Sequence, residues 1–210
     1  MATQLERNPA VNVDLDRAIA ERIDAILDER LDAKLAEIRA AKTPAMTIIA
    51  TKGTLDWAYP PFILASTGAA LGWDVSIFFT FYGLELLKKD LHKLKVSPLG
   101  NPAMPMKMPM GPEWFRSIRW NIPNAIQSII PAYEAFATKM MRKTIRNKGV
   151  APIAELRSLC LEAGVNLIGC QMTVDLFGYR PGDFIPEVKE YVGAATFLPM
   201  ARDADVSLFI

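Results

Sequence analysis

The two cysteines, Cys160 and Cys170, are the side chains of this 210-residue sequence best suited to covalent chemistry. Cys170 follows the short apolar run 165–169, which predicts a buried strand, and precedes a segment with helical character. The free amides and the dipole at the start of a helix favour an anion, so we expect Cys170 to be a reactive thiolate with a lowered pKa. Cys160 falls in the middle of a predicted helix, where most free cysteines are inert packing.

Ligands of open parallel sheets gather beyond the carboxyl ends of the strands, which selects a small group of residues as the predicted site. Gln171, Met172 and Thr173 follow Cys170 directly, and the amides of Gln171 and Met172 are predicted to stabilise an anion on its sulfur. Asp56 lies in the turn after the first predicted strand and joins the predicted substrate-binding set. Thr80, Phe81 and Tyr82 follow the second strand, without an assigned role.

The composition excludes several other kinds of site. A net charge of +1 gives no indication of nucleic-acid binding. Two cysteines are too few for a secreted disulfide framework, a zinc finger or an iron–sulfur cluster. Asp56, Asp74 and Asp175 show no metal-ligand spacing, so we expect no metal and no cofactor. The first residues lack the apolar stretch of a signal peptide, and a reducing cytoplasm is the expected compartment.

The elements around these residues alternate between strand and helix, which predicts an α/β fold with an open parallel sheet and helices on both faces. The predicted strands are 46–51, 73–80, 165–169, 191–192 and 206–210. The predicted helices are 57–71, 83–94, 137–148, 152–164, 171–178 and 193–203.

Two further segments flank or interrupt this α/β domain, which we place at 44–210. Residues 1–43 form a predicted amphipathic helical extension that either packs on its own domain or associates as a coiled coil. Residues 96–150 form an apolar insertion in which methionines alternate with proline and lysine, and which ends in a basic helix. The methionines are Met104, Met106, Met108 and Met110.

The insertion leaves three roles open. It can shield the predicted thiolate of Cys170 or dock a partner, with its basic helix steering an anionic or acidic binding partner. Its apolar stretch and basic helix also suit an interfacial membrane anchor. The weakest alternative is a thioether site for Cu(I).

Several of these segments together resemble the DsrE/DsrF-like family, and more narrowly its longer branch with a Met-rich insertion. The most specific match is the element Cys, x, Met, Ser/Thr, x, Asp, x, x, Gly after a strand, which here spans Cys170 to Gly178. The second-strand segment 73–83, the run 47–50, the turn at Asp56 and the insertion support it, and the resemblance covers about 45–210.

The resemblance implies a cytoplasmic sulfur-trafficking protein that accepts and passes on sulfane sulfur or thiosulfonate groups in sulfur oxidation. Its reactive residue corresponds to Cys170, with Cys160 as an assisting cysteine. It implies homo- or hetero-oligomers, of which we expect a homo-oligomer, and a sulfurtransferase-like carrier rather than a high-turnover enzyme. The expected partners are a TusA-like carrier, a rhodanese or a heterodisulfide-reductase-like enzyme, with thiosulfate or polysulfide as donor. The alternative is a membrane-surface or assembly module with a non-catalytic thiol and a peripheral membrane contact.

Overall fold

The computed structural model describes residues 9–97, 106–107, 111–120 and 131–210, with the backbone alone for 9–16, 39–40, 106–107 and 119–120. The chain divides into two units, Met1–Thr43 and Pro44–Ile210. In its described residues, the first unit is one helix, α1 (Pro9–Ala41).

The second unit contains the remaining elements. In chain order they are β1 (Ala45–Ala50), α2 (Leu55–Ala70), β2 (Asp74–Phe79), β3 (Met106–Lys107), α3 (Glu113–Ser117), β4 (Arg119–Trp120), α4 (Tyr133–Asn147), α5 (Ile153–Glu162), β5 (Asn166–Cys170), α6 (Gln171–Phe177), β6 (Glu190–Val192), α7 (Ala194–Asp203) and β7 (Val206–Phe209). The 3₁₀ helices of the described residues are Phe81–Leu87, Leu91–Lys93 and Pro181–Asp183.

Five of the strands form an open sheet in the order β6-β5-β2-β1-β7, and every pairing in it is parallel. This confirms the predicted sheet. Parallel strands connected by helices bury both faces of the sheet, which is why they are rich in Ile, Val and Phe. The register sets Ala50 beside Phe79, and Phe79 beside Gly169. The carboxyl ends of β1, β2 and β5 therefore meet at one edge of the sheet.

Helices cover both faces of this sheet, as predicted. On one face, Ile48, Ile77 and Leu167 contribute to a large core that includes the buried side chains of α2 and α5. On the other face a smaller cluster joins Phe78, Ile168 and Cys170 to Phe197 of α7. The ring centroids of Phe78 and Phe197 are 4.5 Å apart. Cys170 therefore lies on the face that α7 covers.

The predicted helix at 83–94 is wrong, because this segment forms two 3₁₀ helices, Phe81–Leu87 and Leu91–Lys93. The carbonyl groups that an α-helix would use are bonded elsewhere. The Arg157 guanidinium donates to the carbonyls of Leu86 and Lys88 at 3.0 and 2.6 Å. The Leu87 carbonyl accepts from the amide of Ile185. Tertiary contacts thus displace the local helical preference of a Leu- and Lys-rich sequence.

The insertion is described only in part. Its basic helix is present as α4, and β3 pairs antiparallel with β4. The methionines proposed as a Cu(I) site lie outside the residues with described side chains. In the described part of the chain, no group of His, Cys, Asp or Glu is arranged to hold a metal ion. Across that same part, every helix is either too short or too polar to cross a membrane.

Candidate functional site

The register of β2 and β5 positions Cys170 and Thr80 side by side. Phe79 and Gly169 are paired, so the next residue of each strand, Thr80 and Cys170, lies at the same edge of the sheet. Thr173, in the first turn of α6, completes the group, because its Oγ1 lies 3.2 Å from Oγ1 of Thr80. We name Cys170, Thr80, Thr173 and the amide of Met172 the sulfur cradle.

The sulfur cradle stabilises the thiolate of Cys170. Burial alone raises the pKa of this thiol, because it disfavours the charged form. Hydrogen bonds from the hydroxyls of Thr173 and Thr80, and from the amides of Thr173 and Met172, oppose burial and hold the pKa below its ordinary value. The Cys170 side chain is also only 3% exposed. A buried sulfur with several donors is an anion-binding position.

Phe81 helps to orient the hydroxyl of Thr173. Its amide donates to Thr173 Oγ1 at 3.3 Å. The oxygen of Thr173 accepts this bond through a lone pair, and its hydroxyl hydrogen-bonds to the sulfur of Cys170. The arrangement needs Phe81 at a φ of +49°, a left-handed conformation that costs energy for a bulky side chain. Backbone strain is therefore present directly beside the sulfur cradle.

Close backbone packing fixes the 3₁₀ helix that follows Thr80. The amide of Gly83 donates to the carbonyl of Thr51 at 3.1 Å, just beyond β1. A Cβ atom at Gly83 would lie 2.1 Å from the carbonyl oxygen of Ala50, so only glycine allows this approach. The end of β1 therefore determines where Thr80 and Phe81 lie.

A family model described as the DsrE/DsrF/DrsH-like family matches residues 42–209. The chain belongs to this family. Sulfur carrier protein DsrE2 of Allochromatium vinosum is 53% identical over 165 residues, which cover 79% of this chain and 97% of that protein. An uncharacterized protein of Bacillus subtilis, YrkE, is 29% identical over 170 residues, or 80% of this chain and 98% of that protein.

The other cysteine of this DsrE-like protein lies on the opposite face of the sheet. Cys160 is fully buried in the larger core, and its thiol donates to the carbonyl of Phe62 at 3.3 Å. Burial raises the pKa of Cys160 to about 11. The two cysteines belong to different hydrophobic clusters. The predicted assisting role of Cys160 gains no support from these contacts.

Of the other residues predicted for the site, Met172 contacts Cys170, whereas the described contacts of Gln171 and Asp56 are with other residues. Met172 supplies an amide to the sulfur cradle. The side-chain amide of Gln171 donates to Asp175 at 2.8 Å, which links the first and second turns of α6. Asp56 accepts from the amide of Ser97 at 3.4 Å, where the insertion begins. The described contact of Asp56 thus ties α2 to the insertion.

Exposed apolar side chains flank the sulfur cradle and form what we name the apolar rim. Tyr82 and Met172 are 67% and 61% exposed, and the ring of Tyr82 stacks on that of Phe177 at 5.8 Å. The members of the apolar rim are Phe81, Tyr82, Met172, Leu176 and Phe177. Large apolar side chains left exposed on a protein surface favour a docking site for another protein.

Sequence reasoning missed the roles of Thr80, Phe81 and Arg157. Thr80 and Phe81 were recognisable as residues beyond a strand end, but their contact with Thr173 depends on the register. Arg157 had a sequence signal. It lies on the same helical face of α5 as Ile153 and Cys160, all of which are buried. A charged residue on an apolar helix face indicates a buried ion with specific partners.

Proposed function

We propose that this protein carries sulfane sulfur on Cys170 and passes it to the thiolate of a partner. The hydrogen bonds of the sulfur cradle are the observation that carries the proposal. A persulfide is an anion, like the thiolate that precedes it, so the same hydroxyls and amides stabilise both forms. The name of the Allochromatium vinosum relative, sulfur carrier protein, supports the same function.

The proposed transfer needs no oxidant. The Cys170 thiolate attacks the sulfane sulfur of thiosulfate, the bond between the two sulfur atoms of thiosulfate breaks, and sulfite leaves with the electron pair. Cys170 then carries a persulfide anion. Attack by a partner thiolate on the outer sulfur regenerates the Cys170 thiolate. When the partner instead carries an S–SO₃⁻ group on its cysteine sulfur, the Cys170 thiolate attacks the sulfur bonded to SO₃⁻, the bond to the partner's cysteine sulfur breaks, and the partner's thiolate leaves with the electron pair.

Cys170 acts alone in this proposal, and Cys160 has a packing role. A thiol with a raised pKa is a poor nucleophile at neutral pH, and Cys160 is buried on the other face of the sheet. A single carrier thiolate suits a sulfurtransferase-like carrier better than a high-turnover enzyme. We assign it to cytoplasmic sulfur oxidation, where reduced thiols persist.

The apolar rim supports a protein as the partner of Cys170. Because Cys170 is almost fully buried, we propose that the acceptor presents its thiol on a narrow segment. The rim offers apolar surface for the partner residues beside that thiol. We propose a TusA-like carrier, a rhodanese or a heterodisulfide-reductase-like enzyme as the partner, and thiosulfate or polysulfide as the donor.

Intact mass spectrometry tests the proposal directly. The reduced protein is incubated with thiosulfate or polysulfide and compared with the Cys170→Ser and Cys160→Ala variants. We expect an adduct of one or more sulfur atoms on the native protein and on Cys160→Ala, removable by a reductant. Cys170→Ser should carry none. Circular dichroism confirms that each variant is folded.

An adduct that persists in folded Cys170→Ser would overturn the proposal, as would native protein that stays unmodified by both donors. In either case Cys170 would be a non-catalytic thiol. Loss of the adduct in Cys160→Ala as well as in Cys170→Ser would instead contradict the assignment of Cys160 to packing.

A further inference from the structure

Helix α1 exposes a long apolar stripe. Seven aliphatic side chains at helical spacing are between 38% and 58% exposed, although such residues are normally buried. They are Ile19, Ile23, Ile26, Leu27, Leu31, Leu35 and Ile38. The helix has 33 residues, so it is about 50 Å long at the usual rise per residue. It also lies outside residues 42–209, the part that matches the family.

The contacts within α1 do not account for its stability. Its described ion pairs, Arg17–Glu21 and Lys34–Glu37, are exposed pairs of one helical turn, and such pairs contribute little. Most helices in proteins owe their stability to packing of an apolar face. We therefore expect the apolar stripe to pack against another surface.

The charges of α1 exclude an anionic membrane as that surface. Residues 9–41 contain eight acidic and five basic side chains, interspersed along the helix. Helices that lie on membranes instead carry an excess of lysine and arginine on the polar face. A helix with both signs of charge beside its stripe is suited to pairing with another helix of the same kind.

The stripe can pair with a second copy of α1 in either direction, and the charges beside it favour the antiparallel one. When the two helices are aligned head to tail, Ile23 faces Leu35 and Leu27 faces Leu31, and Ile19 lies within one residue of Ile38. The same alignment sets Arg30 opposite Asp28, and Lys34 opposite Asp24.

A parallel pair has poorer charge contacts. Across a parallel pair, charges five positions apart approach each other. This would bring Arg17 to Arg22 and Asp24 to Glu29 of the other helix.

From these observations we infer that α1 pairs antiparallel with α1 of a second copy of this chain. Such an interface is isologous, because each residue contact occurs twice about a twofold axis. It brings two copies of Cys170 into one particle. The inference is independent of the chemistry of Cys170.

Disulfide cross-linking between full-length chains tests the inference. One ¹⁵N-labelled chain carries Ile19→Cys and an unlabelled chain carries Ile38→Cys, both in a Cys170→Ser background that leaves only the buried Cys160. We expect the mixture to form a mixed-label disulfide dimer under mild oxidation, at least tenfold faster than either chain alone. A mixture of Ala18→Cys and Ala36→Cys chains is the control, because these residues lie on the opposite side of α1.

Two cross-linking results would overturn the inference. Cross-linking of Ile19→Cys alone at the rate of the mixture would indicate a parallel pair. A rate no greater than that of the control would mean that α1 does not pair with itself. Sedimentation velocity gives an independent measure, because the double variant Leu27→Asp and Leu31→Asp should halve the mass of the native particle. An unchanged mass would contradict the pairing.

Discussion

Two threonine hydroxyls distinguish Cys170 from an ordinary buried cysteine. Burial by itself makes a thiol inert, and Cys160 shows this outcome with a pKa raised to about 11. At Cys170 the hydroxyls of Thr173 and Thr80, together with two amides, reverse the effect of burial and lower the pKa. The pKa of Cys170 therefore depends on a few hydrogen-bond donors and not on exposure.

Removing a hydroxyl should raise the pKa of Cys170. In Thr173→Val and Thr80→Val the side-chain shape is kept, and one donor to the thiolate is lost. A hydrogen bond to a charged group contributes about 1.5–3 kcal/mol, so each change should raise the pKa by about one unit or more. The pH dependence of the rate at which iodoacetamide alkylates Cys170 measures this pKa. The rate rises as the thiolate forms, so the midpoint should move to higher pH in both variants.

Thr67→Val is the control, because the hydroxyl of Thr67 donates to the carbonyl of Ile63 within α2. Its midpoint should equal that of the native protein. A midpoint that stays unchanged in both Thr173→Val and Thr80→Val would mean that these hydroxyls do not stabilise the thiolate.

At the scale of elements, buried polar contacts determine the conformation of the segment after β2. Arg157 of α5 is 8% exposed and donates to two carbonyls of this segment. Glu85 and Lys88 of the same segment form an ion pair at 2.6 Å, and Glu85 also accepts from the hydroxyl of Tyr179 at 2.7 Å. These contacts tie the segment to α5 and to the end of α6.

Replacing Arg157 should destabilise the fold. In Arg157→Leu the carbonyls of Leu86 and Lys88 lose their donor while they remain buried against α5. We expect a decrease of about 2–4 kcal/mol in the free energy of unfolding, measured with urea. Arg202→Leu is the control and should change stability by less than about 0.5 kcal/mol, because Arg202 is exposed. Equal stability of the two variants would contradict the structural role of Arg157.

Gly83 provides a second test of the same segment. Gly83→Ala places a Cβ atom against the carbonyl of Ala50, so the 3₁₀ helix must move away from β1. We expect a loss of about 1–3 kcal/mol in stability and slower sulfur loading of Cys170. Gly182→Ala is a matched control in another 3₁₀ helix, where no atom lies within 4 Å of the added Cβ. If Gly83→Ala loads sulfur on Cys170 as fast as the native protein, the position of this segment does not affect the sulfur cradle.

At the scale of the α/β unit, the chain order of the sheet determines what covers Cys170. β6 and β7 are the two edge strands of the sheet. The connection between them contains α7, which packs on the face that carries Phe78, Ile168 and Cys170. Phe197 of α7 is 1% exposed and packs with Cys170 and Ile168. A helix far along the chain therefore closes one side of the site.

Shortening Phe197 should loosen this cover. Phe197→Ala should cost about 3–5 kcal/mol of stability, because it removes a buried ring that stacks on Phe78. Phe197→Leu keeps more of the volume and should let bulky maleimides reach Cys170 faster. Leu198→Ala, exposed on the same helix, should leave both properties unchanged. Native maleimide rates in Phe197→Leu would mean that reagents reach Cys170 without passing α7.

The sequence by itself predicted much of the architecture and selected Cys170 as the candidate reactive residue. The parallel sheet followed from buried β-branched runs between helical segments, because both patterns are local and repeat along the chain. Cys170 was proposed as the reactive residue from its place between a strand and a helix, which is also a local property. The pattern Cys, x, Met, Thr around it indicated the family that the comparisons show.

The tertiary structure decided which residues surround that cysteine. Thr80 is 90 residues away from Cys170 in sequence, and only the pairing of Phe79 with Gly169 makes them neighbours. Two 3₁₀ helices replace the predicted helix because of Arg157. The guanidinium group of this distant residue donates hydrogen bonds to carbonyl groups of the segment. Such contacts join residues that are far apart in the chain, so local sequence patterns cannot predict them.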